Sequence, residues 1–174
     1  KKLSAFTFSA GQDDIHWTIE CLGIRVEITV SLSKEDCVEL WKVNLVNLSK
    51  KPRKISLYPY FSIGYMSWMN QSADYDSTLN AIIGHSVTPY QKVADYFKNQ
   101  LLKDNTFLLA EQKPTTWCAN QTVFEGEGGL HNPDALQNKA LANCAAHYQM
   151  PVAVMHYQIE LKSASKKSYR FLFG

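Results

Sequence analysis

Gly23-Ile24-Arg25-Val26-Glu27-Ile28-Thr29-Val30, then Val38-Glu39-Leu40-Trp41-Lys42-Val43-Asn44-Leu45, then Lys51-Pro52-Arg53-Lys54-Ile55-Ser56-Leu57-Tyr58 are three successive segments that read with a period of two. Ile24, Val26, Ile28 and Val30 fall on one face; Arg25, Glu27 and Thr29 fall on the other. Trp41, Val43 and Leu45 oppose Lys42 and Asn44 in the same way. Alternation of this kind marks half-buried antiparallel sheet, one face on a core and one in water.

Outward from these segments the pattern continues. Residues 3–9 and 15–21 read as strands split by the turn residues Gly11-Gln12-Asp13-Asp14. Further strands are expected near 24–32, 38–47 and 53–63. Their connections, Ser33-Lys34-Glu35-Asp36 and Asn47-Leu48-Ser49-Lys50-Lys51-Pro52, are turn-like. Alternation returns over 151–161, where Ala153, Met155, Tyr157, Ile159 and Leu161 share a face, and again at Tyr169-Arg170-Phe171-Leu172-Phe173. The middle is less regular. Ile82 to Thr88 reads as a strand, and Thr88-Pro89 resembles a helix start, so a short helix is expected over 89–99. Thr106-Phe107-Leu108-Leu109-Ala110 and Thr115 to Phe124 read as strands, and Asp134 to Ala142 as a helical turn. The expected fold is all-β: an antiparallel two-sheet super-sandwich over residues 1–174, with one or two short helices.

Composition bounds what such a chain does. At 174 residues with 45% hydrophobic and 12% aromatic content, it has enough material for one real core. The formal charge is +2 with both signs interspersed, which points away from nucleic acid and membrane surfaces. No apolar run approaches the ~20 residues of a membrane span. No signal-peptide core follows Lys1-Lys2-Leu3-Ser4, and the expected location is cytoplasmic. Cys21, Cys37, Cys118 and Cys144 form no C-x-x-C pair, so zinc is unsupported, and they read as small buried hydrophobes in a reducing compartment. Sequons at Asn47, Asn70 and Asn120 read as accidental.

Two segments carry candidate chemistry. Glu125-Gly126-Glu127-Gly128-Gly129-Leu130-His131-Asn132-Pro133 combines carboxylates, an imidazole and permissive glycines. It reads as an irregular turn with solvated acids, as a loop lining a sugar site, or as a metal site. Its negative charge makes it a poor phosphate cradle. Tyr65, Trp68, Asn70 and Gln71 offer the flat rings and amides that recognise sugars; alternatively Met66, Trp68 and Met69 pack in a core or beneath another domain. No Ser-His-Asp ordering emerges from the five histidines, and His16 and His156 read as structural. Lys50-Lys51-Pro52-Arg53-Lys54 reads as a solvated turn.

The wording of the opening segments, G-I-x-V-E-x-T-V followed by V-E-L-W-x-V-x-L-x-N-x-S-x-x-P-R-x-I-S-L-x-x-Y, resembles the N-terminal β-sandwich of glycoside hydrolase family 94. These are inverting phosphorylases of the cellobiose, chitobiose and β-1,2-glucan type, and the sandwich is galactose mutarotase-like. Phe124-Glu125-Gly126 … Asn132-Pro133-Asp134-Ala135-Leu136 and the closing Val152-Ala153-Val154 through Tyr169-Arg170-Phe171-Leu172-Phe173-Gly174 are similar to the family as well. The two candidate segments look most like those of β-1,2-glucan-active members. The resemblance implies a non-catalytic domain that supports the active site of a sugar phosphorylase. The catalytic aspartate of such enzymes lies in an (α/α)6 barrel, which this chain lacks, so the chain is expected to be an inactive fragment with no catalytic residue. It implies inorganic phosphate as co-substrate of the full-length enzyme, no other cofactor, a β-linked glucose oligosaccharide as substrate, and a homodimer. The contacts expected toward sugar are Tyr65, Trp68, Asn70, Gln71, Glu125, Glu127 and His131. A free carbohydrate-binding module and a purely structural dimerisation domain are the alternatives.

Overall fold

The computed structural model describes residues 3–64, 71–86, 94–95 and 104–174. Its strands fall into antiparallel sheets, as the alternation requires. The chain forms two compact units: residues 1–57, 109–113 and 158–174 make the first, and residues 58–108 and 114–157 the second.

The first unit begins with β1 (Ala5–Ala10), β2 (Asp14–Cys21), β3 (Ile24–Leu32) and β4 (Glu39–Asn47), each antiparallel to the last. The final strand, which we number β13 (Lys166–Phe173), returns to pair with β4. The registers place Phe8, Trp17, Ile28, Val43 and Tyr169 in one row across five strands. Burial rises along that row: Phe8 is 56% exposed, Trp17 is intermediate, and Val43 and Tyr169 are buried. Trp17 lies parallel to Trp41, with ring centroids 6.4 Å apart, and Phe8 leans on Trp17 at 5.6 Å.

The opposite face is a polar ladder. Arg25 Nε donates to Glu20 at 2.6 Å, Lys166 Nζ to Glu27 at 3.1 Å, and Ser168 Oγ to Asn44 at 2.5 Å. The two ion pairs, partly open to solvent, contribute little each, about 0–1 kcal/mol; the apolar face holds the sheet. The hairpin between β2 and β3 needs two left-handed residues, and Leu22 (φ 53°) and Gly23 (φ 77°) supply them.

β5 (Arg53–Leu57) pairs with the long strand β12 (Pro151–Leu161), whose last four residues belong to this unit. Asn47, 1% exposed, ties the turns together. Its Nδ2 donates to the carbonyls of Lys51 (2.8 Å), Lys162 (3.0 Å) and Leu161 (3.3 Å), and its Oδ1 accepts from Ser49 N–H and Oγ. Of the basic run expected as a solvated turn, Lys50 and Lys51 are exposed in the turn while Arg53 and Lys54 open β5: Arg53 reaches the Leu22 carbonyl at 2.7 Å, and Lys54 pairs with Glu160 at 3.0 Å.

The second unit holds β6 (Tyr60–Ser62), β7 (Ser72–Asp76), β8 (Ala81–Ser86), β10 (Thr116–Asn120), β11 (Ala146–His147) and the first seven residues of β12. β9 (Asp104–Ala110) lies beside β8, β8 pairs with β7, and β7 with β11; β12 pairs with both β10 and β6. Where one strand was expected over 53–63, Pro59 separates two, and the Met155 N–H binds the Pro59 carbonyl at 3.2 Å instead. Cys118, Phe124, Ala135, Leu141, Val152 and Val154 make the core, with Tyr58, Tyr60 and Cys144 against it. His156 is buried, its ring 4.4 Å from Tyr58 and nearly parallel to it, and burial lowers its pKa. The helix expected over 89–99 lies outside the described residues except at Ala94 and Asp95, which are helical.

Candidate functional site

The strand expected to run from Thr115 to Phe124 stops at Asn120. Asn120 has extended backbone (φ −106°, ψ 117°), and its Oδ1 accepts from the Val123 N–H at 3.2 Å. That is an N-cap, and it starts a short helix, α1 (Gln121–Glu125). The helix buries Phe124 in the core, which points Glu125 toward the neighbouring β6. Gly126 ends it with φ 57°, and its N–H returns to the Thr122 carbonyl. A Cβ at this position would stand 2.1 Å from Asp134 Oδ2, so both conformation and space demand glycine.

Glu125 is held on two sides. The Tyr60 hydroxyl donates to its Oε1 at 2.5 Å, and Gln121 Nε2 donates to the same oxygen at 3.0 Å. The Tyr60 ring packs on Phe124 at 5.6 Å. Burial first, then the Glu125 carboxylate, pushes the Tyr60 phenol well above its ordinary value, so it is a neutral donor at physiological pH. Beyond the helix, a 3-10 turn (Gly126–Gly128) carries Glu127, whose backbone N–H binds Asp134 Oδ2 at 3.0 Å. Gly129 takes φ 58°, and Asn132 N–H closes on its carbonyl at 3.3 Å. A second 3-10 turn, Asp134–Gln137, completes the loop where a helical turn was expected.

The structure thus separates the sequence candidates. Glu125 is half-buried and anchored; Glu127 and His131 are exposed on the loop beyond it. Gln71 is 4% exposed, covered beside Gly64 and Pro151, and its backbone carbonyl receives the Tyr148 N–H at 2.8 Å. Tyr65, Trp68 and Asn70 lie outside the described residues. Among the described residues no three His, Cys, Asp or Glu side chains gather as a metal site. No helix among them is long and apolar enough to cross a membrane. Chemically the loop offers hydrogen-bond acceptors and an imidazole on a braced base, with the glycines leaving the backbone open to close approach. Tyr60, Gln121 and Asp134 escaped sequence reasoning. The Asn120 cap was readable locally; the Tyr60–Glu125 bond spans 65 positions and was not.

The profile of the family described as "Glycosyl hydrolase 94, supersandwich domain" matches residues 2–174. The chain belongs to that family. This supersandwich domain is 54% identical over 97% of its length to a cellobionic acid phosphorylase of Neurospora crassa. It is 27% identical over 87% of its length to a solabiose phosphorylase of Paenibacillus borealis. A 3-O-beta-D-glucopyranosyl-beta-D-glucuronide phosphorylase from the same bacterium is 23% identical over 87% of it. The domain spans 20–21% of the length of these relatives.

Proposed function

We propose that this chain is one domain of a larger inverting sugar phosphorylase, which it supports without supplying the catalytic acid. The observation that carries this is the 54% identity to a cellobionic acid phosphorylase over nearly the whole chain, which matches only 21% of that relative. In the full-length protein, inorganic phosphate attacks a β-glucoside, and an acid from the remaining polypeptide protonates the leaving oxygen. Cellobionic acid is the first substrate to test, ahead of the β-1,2-glucan suggested by the loop wording. The 54%-identical relative carries the former name.

Glu127 and His131 are the groups offered to a sugar by the described loop, with Tyr65, Trp68 and Asn70 as the stacking and amide contacts. Glu125, tied to Tyr60 and Gln121, braces the base of the described loop, and Gln71 is proposed as a further amide contact. The full-length protein is a homodimer in the cytoplasm, and this domain contributes to the subunit interface. The test is kinetic: Trp68→Ala and His131→Ala in the full-length protein, measured for phosphorolysis of cellobionic acid. A sugar contact raises KM, or lowers kcat/KM by about ten-fold per ~1.4 kcal/mol lost. Wild-type kinetics from both folded variants would leave the domain as scaffold. Phosphate-dependent sugar release by the isolated chain, abolished by Glu125→Gln, would overturn the non-catalytic reading.

A further inference from the structure

Cys118 and Cys144 stand 26 positions apart in sequence, yet their sulfurs are 3.3 Å from each other. Both are free thiols. The approach is fixed by backbone. The two residues form a parallel β-bridge, Ala119 N–H donates to the Cys144 carbonyl at 2.8 Å, and Asn143 N–H donates to the Trp117 carbonyl at 2.9 Å. The Asn143 side chain adds a third tie, accepting from Trp117 N–H at 2.9 Å. A disulfide needs its sulfurs at about 2.05 Å, so closure asks for a shift of roughly one ångström, within the reach of a χ1 adjustment.

We propose that Cys118 and Cys144 are a reversible dithiol–disulfide pair that staples the base of the loop carrying Glu125, Glu127 and His131. Every residue of that loop lies between the two cysteines. The ends are already hydrogen-bonded, and a covalent link would hold them when those bonds open.

The oxidant is a peroxide or a small disulfide such as oxidised glutathione. Cys144 is half-buried while Cys118 is 1% exposed, so the oxidant meets Cys144. With peroxide, the Cys144 thiolate sulfur attacks an oxygen; the O–O bond breaks, hydroxide leaves, and a sulfenic acid remains. The Cys118 sulfur then attacks the Cys144 sulfur; the S–O bond breaks, and the departing hydroxide takes the Cys118 proton as water. Two thiols and one peroxide become one disulfide and two waters. Burial, foremost, pushes the Cys118 thiol up to about 12, so the second step is slow at neutral pH and quickens with alkalinity.

The test uses the purified full-length protein, treated with hydrogen peroxide or with a phosphine reductant. Free thiols are then alkylated, and the protein is digested without reduction for peptide mass mapping. The expected product is a peptide pair joined through Cys118 and Cys144 and lighter by two hydrogens. It should form faster at about pH 9 than at about pH 7 and be lost on reduction. Amide hydrogen exchange across residues 121–143 should slow by about ten-fold or more in the oxidised protein. Cys144→Ser should keep the circular dichroism of the parent and lose the peroxide-dependent protection. The proposal is overturned if Cys144 instead pairs with Cys37 or advances to sulfinic acid while Cys118 stays reduced. It is also overturned if the linked protein exchanges as fast as the reduced one, or if Cys144→Ser retains the protection.

Discussion

The hydroxyl of Tyr60 donates to Glu125 Oε1 at 2.5 Å, joining a strand to a helix 65 positions later in the chain. Tyr60→Phe keeps the ring on Phe124 and removes only this bond. It should lower stability by about 1–2 kcal/mol at neutral pH, read from urea denaturation. The pH dependence has a definite sign. A phenol whose pKa is raised in the folded state contributes stability fully below its ordinary value of 10.0 and loses it as the pH climbs above that value. The wild type should therefore lose more stability on going from pH 9 to 11 than Tyr60→Phe, roughly closing the gap between them. A constant gap would mean that folding does not raise the Tyr60 pKa.

Acid should act through His156, which burial keeps neutral. Its depressed pKa means that the unfolded chain takes up the proton first. The stability it contributes is full above its ordinary value of 6.5 and falls as the pH drops below it. His156→Phe preserves stacking on Tyr58 and abolishes the titration. Below about pH 6.5 its stability should fall less steeply with acidification than that of the wild type. Parallel curves would refute this.

Asn47→Ala should be among the most damaging single changes, at about 2–4 kcal/mol. It removes the Nδ2 donor shared by the carbonyls of Lys51, Leu161 and Lys162, of which Lys51 keeps Ser49 Oγ and Lys162 keeps the Ser165 N–H and Oγ, and it releases the Ser49 turn. Asn47→Asp should not rescue it, because a carboxylate cannot donate to those carbonyls. Thermal melts of both variants decide the point. The same burial argues that the sequon here carries no glycan in the folded chain.

Gly126→Ala should cost about 1–3 kcal/mol, from the left-handed backbone and from a Cβ that evicts the Asp134 carboxylate. The effect should be local: hydrogen exchange quickens over residues 125–137 and stays unchanged in β3 and β4. Uniform acceleration across the chain would show that the loop is not a separable unit.

Phe6 and Phe8, each 56% exposed, lie on a strand with no buried residue. Converting both to serine should reduce binding of a dye that reports exposed apolar surface, with stability changing by about 0.5 kcal/mol per site. Unaltered dye binding would move the apolar patch elsewhere.

The sheet around Ile24–Leu45 was legible because alternation is a local signal: two-residue periodicity survives whatever the strand later pairs with. β7 was not, since Ser72-Ala73-Asp74-Tyr75-Asp76 sets only Ala73 and Tyr75 against three polar residues, a weak apolar face, and β11 is only two residues long. α1 was read as strand because Trp117-Cys118-Ala119 carries an apolar run straight into it; the Asn120 cap, a one-residue signal, overrides that run. At the candidate loop, the glycines announced irregular backbone, and Gly126 and Gly129 do take left-handed angles. What holds the loop could not be read, because Tyr60–Glu125 and Cys118–Cys144 are meetings between distant positions that no spacing rule encodes.

Asn44 of β4 meets Ser168 of β13 across 124 positions, and the second unit is threaded between them. At about 5–20 residues per second, a ribosome takes on the order of 6–25 seconds to cover that gap. Until then one side of β4 stays unclaimed, while residues 58–108 and 114–157 complete a compact unit of their own. The order of birth is thus opposite to the order of completion: the first-made strands are the last to be finished. A chaperone that binds nascent unpaired strands has its longest opportunity at β4, and pauses in translation just before residue 158 should lengthen it.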